Sequence, residues 1–200
     1  MKFKNITGII LAGGKSRRIG VNKALLSLGD KSVVEIIKNS VSEVFEKVML
    51  ITNKPEEYTF LNIEMFPDIY FDKGPIAGIH SGLLNSDTEI NFIISCDMPL
   101  LTSETIRYIA DKNEDRMITV PEARRIVQPL CGIYTRQCLP YIEDILNDDE
   151  NKNYSVNRLI ETTDSNLLKI EKEDFYNENI LQNINTIEEY QNIKSILNYE

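Results

Sequence analysis

Short apolar runs alternate with amphipathic segments along this chain, which is the pattern of an α/β protein. Apolar runs at 6–12, 47–52 and 91–96 are typical of buried strands, because a strand covered on both faces has no polar side. Segments 32–45 and 186–198 instead place their apolar side chains at helical spacing. Strands that alternate with helices predict a three-layer α/β/α sandwich around a mostly parallel, Rossmann-like sheet.

Weaker signals predict the remaining elements. Thr102 or Ser103 can cap a helix whose first turn contains Glu104, because a short hydroxyl side chain binds free N–H groups and an acidic side chain suits the helix dipole. The other expected elements are a loop that enters a helix at 74–84, two extended segments around a turn at 117–135, a helix at 139–146 and a strand at 166–170.

Length and composition indicate a globular protein. The 200 residues are 42% hydrophobic and 26% charged, without repeats or a linker, so we expect a single domain over 1–200. The net charge of −9 argues against a nucleic-acid partner, since no basic excess is available for a phosphate backbone. No apolar run has the length of a membrane span, and none resembles a signal peptide.

The cysteine and histidine content narrows the possible chemistry. Cys96, Cys131 and Cys138 are too few and too scattered for a disulfide framework, and their spacing is not that of a zinc site. His80 is the single histidine, which disfavours a histidine-based metal site. We therefore expect a cytoplasmic protein in a reducing compartment.

The stretch LAGGKSRRIG after the first strand has the composition of a phosphate-binding loop. Glycines let the backbone approach a phosphate closely, and Lys15, Arg17, Arg18 and Lys23 concentrate positive charge in an acidic chain. The stretch is not a Walker P-loop, because the glycine that such a loop needs is replaced by Ile9, inside the strand. The alternative interpretation is a tight turn followed by a solvated basic segment.

Two aspartates follow other parts of the predicted sheet. Asp97 comes directly after the strand at 91–96, where its carboxylate could hold Mg²⁺ against nucleotide phosphates. Asp68 lies in the loop before 74–84. For both residues the alternative is an aspartate that stabilises a turn, since loops commonly contain aspartate.

Taken in order, five motifs resemble the molybdenum cofactor guanylyltransferase family. They are LAGGKSRRIG with Lys23, GPIAGI, SCDMPLL, QPLCGIY and NINTIEEY, and the resemblance extends from residue 7 to about residue 190. The fold that it implies is of the nucleotide-diphospho-sugar transferase type. The implied activity is transfer of GMP from GTP to the terminal phosphate of the molybdenum-molybdopterin cofactor, which forms molybdopterin guanine dinucleotide and releases pyrophosphate.

The resemblance also implies partners and leaves alternatives. Besides GTP and the molybdopterin cofactor, the partners would be molybdenum-inserting proteins and molybdoenzymes. Related cytidylyltransferases usually have alanine in place of Gly13, and sugar-phosphate nucleotidyltransferases have Gly-Thr-Arg after the first glycines. Another small-molecule nucleotidyltransferase, or an accessory protein that binds nucleotide without transferring it, stays open.

Site residues follow from the same resemblance, position by position. It implies that GTP contacts the backbone of Leu11, Ala12 and Gly13 and the side chains of Lys23, Asp68 and Asp97, with Mg²⁺ on Asp97. Arg18 and Lys15 are added from charge and position, and Arg18 is expected to act in catalysis with Lys23 and Asp97. Gln128 replaces a histidine and Ile187 a proline that are usual in the family. Asn53 lies two residues beyond the position of a guanosine-binding asparagine and is left out of the predicted set.

Overall fold

The structure is a computed structural model that describes residues 1–13 and 22–198. Its strands are β1 (Phe3–Leu11), β2 (Ser27–Leu28), β3 (Lys31–Ser32), β4 (Phe45–Ile51), β5 (Glu64–Phe66), β6 (Ile90–Ser95), β7 (Ile118–Ala123), β8 (Ile126–Val127), β9 (Cys131–Thr135) and β10 (Ser165–Lys169). Its α-helices are α1 (Val33–Val44), α2 (Pro75–Asn85), α3 (Ser103–Asp111), α4 (Leu139–Leu146), α5 (Val156–Thr162) and α6 (Ile187–Ile196). Short 3-10 helices occur at Lys23–Leu25, Pro55–Glu57, Thr59–Leu61 and Arg136–Cys138.

A twisted central sheet organises the described part of the chain. Its strand order is β10-β7-β9-β6-β1-β4-β5, with β8 paired to β7. Neighbouring strands are parallel except where β9 pairs antiparallel with β6 and β7, and where β8 pairs antiparallel with β7. The carboxyl ends of β1, β4, β5, β6 and β7 therefore lie at one edge of the sheet, which is where ligands bind in open α/β folds.

Two apolar cores lie on opposite faces of this sheet. Ile10 of β1 points into a core formed with α1, α3 and α6, and the next residues on either side, Ile9 and Leu11, point into a core formed with α2, α4 and α5. This alternation follows from the two-residue period of a strand. The predicted three-layer α/β/α sandwich with a mostly parallel sheet is confirmed.

Local sequence signals account for several element boundaries. The predicted helix at 139–146 is observed with those bounds, and α1 and α6 both begin at a capping box, with Ser32 and Thr186 as the capping residues. Thr102 rather than Ser103 caps α3, because its side-chain oxygen accepts the Thr105 N–H at 3.2 Å. Among the described residues, no helix is long and apolar enough to cross a membrane.

The structure differs from the expected elements in several places, and β2, β3 and α5 were not predicted from the sequence. The segment 117–135 forms three strands rather than two, because Arg124 and Arg125 adopt positive φ values and fold β8 back onto β7 before β9 begins. Residues 64–66 form β5, a strand too short to give a sequence signal. As a result, Asp68 follows the end of a strand in the central sheet, rather than lying in a loop that is separate from the sheet.

Candidate active site

The end of β1 forms the floor of a candidate nucleotide site. Leu11 and Ala12 are buried, whereas Gly13 is exposed at the sheet edge. The Ala12 N–H donates to the Ile51 carbonyl at 2.9 Å, and the Leu11 carbonyl accepts the Cys96 N–H at 3.1 Å. Within residues 1–13 and 22–198, no hydrogen bond is made to the Ala12 carbonyl or by the Gly13 N–H.

Asp68 lies beside this strand end and is held by Asn53. Asn53 Nδ2 donates to Asp68 Oδ2 at 2.8 Å, and the Asp68 N–H donates to Asn53 Oδ1 at 2.9 Å. The carboxylate lies next to two glycines: a Cβ atom at Gly13 would be 3.8 Å from Asp68 Oδ2, and one at Gly78, in the first turn of α2, would be 3.5 Å from Oδ1, both ordinary contact distances. Burial raises the pKa of Asp68, and the hydrogen bond from Asn53 partly opposes that rise.

Asp97 lies in the turn after β6, which β1 separates from β4 in the sheet. The Ser95 hydroxyl donates to Asp97 Oδ1 at 2.6 Å, and the Asp97 carbonyl accepts the Ile184 N–H at 2.8 Å. Partial burial raises the pKa of Asp97, whereas the Ser95 hydrogen bond and the positive charge of Lys23 lower it and the charge of Glu189 raises it. Asp97 is thus a partly desolvated carboxylate that a cation would stabilise in its charged form.

Lys23 brings a positive charge to the same edge of the sheet. Its Nζ donates to Asn185 Oδ1 at 3.1 Å, across the segment that precedes α6. The carboxylate of Glu189 in turn accepts the backbone N–H groups of Asn185 and Thr186, which sets the backbone around Asn185. In the same segment, Asn183 Oδ1 is buried without a hydrogen-bond partner among the described residues.

The described part of the predicted site therefore converges at one edge of the sheet: Leu11, Ala12, Gly13, Lys23, Asp68 and Asp97. The predicted residues Lys15 and Arg18 lie outside the described residues, and their roles stay predictions.

Three further residues shape the site and were not predicted. The family pattern does not assign Asn53, because its position does not match that pattern, and Ser95 gives no signal beyond its place in a strand. Asn185 belongs to the quoted motif NINTIEEY, which identified the segment but gave no indication that it returns to Lys23. Each of these side chains acts by holding a charged neighbour, which requires the folded arrangement.

The protein ligands at this site suit a metal ion whose other ligands are water and the phosphate oxygens of a bound nucleotide. Among residues 1–13 and 22–198, no three His, Cys, Asp or Glu side chains converge into a preformed metal cluster. Mg²⁺ typically takes one or two carboxylates and completes its coordination with water and phosphate oxygens. The single carboxylate of Asp97 fits that mode of binding.

Comparison with known proteins identifies the class of this protein. A mostly parallel α/β sheet with a glycine, two carboxylates and a lysine at the carboxyl edge of its strands suits a nucleotide ligand, and the family that the chain matches is one of nucleotidyltransferases. The chain matches the MobA-like NTP transferase domain over residues 8–165 and belongs to this family.

Individual relatives extend the match beyond residue 165. A probable molybdenum cofactor guanylyltransferase from Clostridium perfringens is 35% identical over 192 residues, which cover 92% of this chain and 93% of the relative. A second, from Carboxydothermus hydrogenoformans, is 34% identical and covers 97% and 98% of the two chains. The crystal structure of molybdopterin-guanine dinucleotide biosynthesis protein A from Archaeoglobus fulgidus shares the fold, with a TM-score of 0.81, 22% identity and coverage of 96% and 98%.

Proposed function

We propose that this protein is a molybdenum cofactor guanylyltransferase, which transfers GMP from GTP to the terminal phosphate of the molybdenum-molybdopterin cofactor. A phosphate oxygen of the cofactor attacks the α-phosphorus of GTP, the bond to the β-phosphate oxygen breaks, and pyrophosphate leaves. The observation that carries the proposal is the convergence of Asp68, Lys23 and Asp97 at the strand edge of a chain that matches such enzymes along nearly its full length.

The nucleophile in this reaction explains why the site needs no catalytic base. A phosphate monoester has a second pKa near 6, so the attacking group is largely dianionic at neutral pH. The protein then has to align two anionic substrates and reduce the repulsion between them. The single histidine supports this interpretation, because His80 of α2 is buried, with its Nε2 3.2 Å from Glu143 Oε1 of α4 and its ring against Tyr70.

We infer separate roles for the charged residues. Asp97 would hold a divalent cation, which we take to be Mg²⁺, and the bound ion would neutralise phosphate charge. Lys23 would contact the phosphates and Arg18 would grip the leaving pyrophosphate, because a guanidinium matches phosphate oxygens with two parallel hydrogen bonds. Lys15 is proposed to add positive charge beside them.

Guanosine recognition is assigned to the other side of the site. The Watson–Crick edge of guanine presents two adjacent N–H donors, which a carboxylate such as Asp68 can accept together. Cytosine presents a single amino donor on that edge, so the same carboxylate favours GTP over CTP. The backbone groups of Ala12 and Gly13 would complete the contacts with the nucleoside.

The cellular setting is part of the proposal. The free thiols of Cys96, Cys131 and Cys138 support a reducing, cytoplasmic location. We propose that residues 1–200 act as a single nucleotidyltransferase domain. We also propose that its protein partners are those that supply the molybdenum-loaded cofactor and those that receive the nucleotide form.

The direct test is pyrophosphate release in the presence of Mg²⁺ and molybdopterin, with GTP and CTP compared at equal concentration. We expect release with GTP and little with CTP. Release with CTP alone would identify a cytidylyltransferase. Nucleotide binding without release from either would favour a non-catalytic accessory protein.

A variant of Asn53 tests guanosine recognition. Asn53→Ala removes both hydrogen bonds to Asp68, and we expect KM for GTP to rise about tenfold, since such bonds contribute roughly 1–1.5 kcal/mol. Because Asn53 lowers the pKa of Asp68, its loss raises that pKa further, and the acid limb of kcat/KM should shift to higher pH.

A double-mutant cycle separates this role from a general effect on the loop. If Asn53 acts through the carboxylate, Asn53→Ala should have little further effect in an Asp68→Ala background. Additive losses in the double variant would instead assign Asn53 a role that does not depend on Asp68.

A further inference from the structure

Asn22 is the described residue directly before Lys23, and its side-chain amide is fully engaged. Its Oδ1 accepts the Ala24 N–H at 3.2 Å. Its Nδ2 donates to Glu57 Oε2 at 2.7 Å and to the Tyr58 hydroxyl oxygen at 2.8 Å. One small side chain therefore joins two segments that lie about 35 positions apart in the sequence.

These bonds connect the segment that contains Lys23 with the segment that follows Asn53. On one side Asn22 caps the 3-10 helix Lys23–Leu25, so it sets the backbone from which Lys23 extends toward Asn185. On the other side it holds the end of the 3-10 helix Pro55–Glu57, four residues after Asn53. The lysine assigned to the phosphates and the segment whose Asn53 holds Asp68 are thus anchored to the same amide.

The surroundings require an amide at this position. Tyr58 is buried, and burial raises its pKa to about 12, so its hydroxyl stays neutral and accepts the Asn22 hydrogen bond. Glu57 is charged, and its hydrogen bonds from Lys54 and Asn22 lower its pKa. Aspartate in place of Asn22 would keep the acceptor for Ala24 but set a second carboxylate against Glu57. Leucine would leave the Ala24 N–H and the Tyr58 hydroxyl without this partner.

We propose that Asn22 is a positioning residue for nucleotidyl transfer: it orients Lys23 and couples that lysine to the loop that follows Asn53. The proposal rests on the proposed function, because it takes Lys23 to contact the nucleotide phosphates. Asn22 itself touches no reacting atom. It acts by keeping the phosphate side and the nucleoside side of the site at a constant separation.

A pair of charge changes tests this role. Asn22→Asp places two carboxylates within hydrogen-bond distance of each other, and we expect kcat/KM for GTP to fall about tenfold to a hundredfold, the range for losing hydrogen bonds to a charged group. In the double variant Asn22→Asp/Glu57→Gln, the glutamine amide can donate a hydrogen bond to the introduced carboxylate. The Tyr58 hydroxyl, which accepts a hydrogen bond from Asn22 in the wild type, can donate one to that carboxylate instead. The double variant should recover to within about threefold of Glu57→Gln, since all three hydrogen bonds are restored.

The matched control is Asn62→Asp, which makes the same change of charge at an exposed asparagine outside the site. It should leave kcat/KM unchanged. Melting temperatures, measured for every variant, show whether it is folded at the assay temperature. A merely structural role would lower the melting temperature of Asn22→Asp but leave kcat/KM per folded molecule unaltered, and that result would overturn the proposal. A folded Asn22→Asp that Glu57→Gln does not rescue would also overturn it.

Different results would exclude the positioning role of Asn22 and the guanylyltransferase activity. If the wild-type protein releases no pyrophosphate from GTP, the proposed function fails, whatever the variants do. Calorimetric titration with GTP still measures whether Asn22→Asp weakens nucleotide binding and whether Glu57→Gln restores it. If the wild type is active and Asn22→Asp binds and turns over GTP equally well, the role of Asn22 fails and the proposed function stands.

Discussion

Replacing Asp97 with asparagine should abolish turnover and leave the protein at least as stable as the wild type at neutral pH. The amide cannot supply the negative charge that a divalent cation needs, so we expect kcat to fall by about a thousandfold or more. The fold should tolerate the change, because the side-chain oxygen of asparagine still accepts the Ser95 hydroxyl. Pyrophosphate release and thermal unfolding without Mg²⁺ measure the two effects.

The effect on stability has a defined sign and pH window. Burial raises the pKa of Asp97 in the folded state above its unfolded value, so the folded state favours the protonated carboxyl. The stability that this group contributes is present below its unfolded pKa, about 3.9, and is lost as pH rises through the folded value. The melting temperature of Asp97→Asn relative to wild type should therefore increase as the pH is raised above about 4.

Asp87 provides a control, because its pKa is shifted in the opposite direction to that of Asp97. It is exposed next to β6 at the other edge of the sheet, and its hydrogen bond with Lys47 lowers its pKa. Asp87→Asn should leave turnover intact and give no gain in melting temperature at neutral pH. Near-normal turnover of purified Asp97→Asn would exclude the metal-binding role, and a large drop in its melting temperature would show that the carboxylate is structural.

Replacing Lys23 with alanine should weaken GTP binding far more than it weakens the fold. A charge-assisted hydrogen bond to phosphate contributes roughly 1.5–3 kcal/mol, so we expect GTP affinity to fall about tenfold to a hundredfold. The side chain is only partly buried, and its described hydrogen bond is to Asn185, which can bind water in its absence. Calorimetric titration with GTP and Mg²⁺ measures the change.

Lys112→Ala is the matched control, because Lys112 lies at the end of α3 and packs over Tyr108, away from the strand edge. It should bind GTP like the wild type. Unchanged GTP affinity in Lys23→Ala would contradict a phosphate contact. An equal loss in both variants would point to a general effect of net charge instead.

Local sequence signals were sufficient for the architecture. Apolar runs and helical spacing predicted the buried strands β1, β4 and β6 and the helices α1, α4 and α6, because these elements are specified by side chains within one short window. The motif order also identified the family, since the matching residues are contiguous in each motif. Strands β2, β3, β5 and β8 escaped prediction because two or three residues form a strand only by pairing with a neighbour. The seven-residue helix α5 was also not predicted.

Tertiary structure alone decided how the predicted residues are held. The sequence by itself identified the family and predicted Lys23, Asp68 and Asp97 as site residues, because each family motif is one contiguous stretch of the chain. It did not determine that Asn53 grips Asp68, or that Asn185, 162 positions away, meets Lys23. Those contacts join segments that are remote in the chain, and their energy depends on distance and burial, which exist only once the sheet has brought the strand ends together.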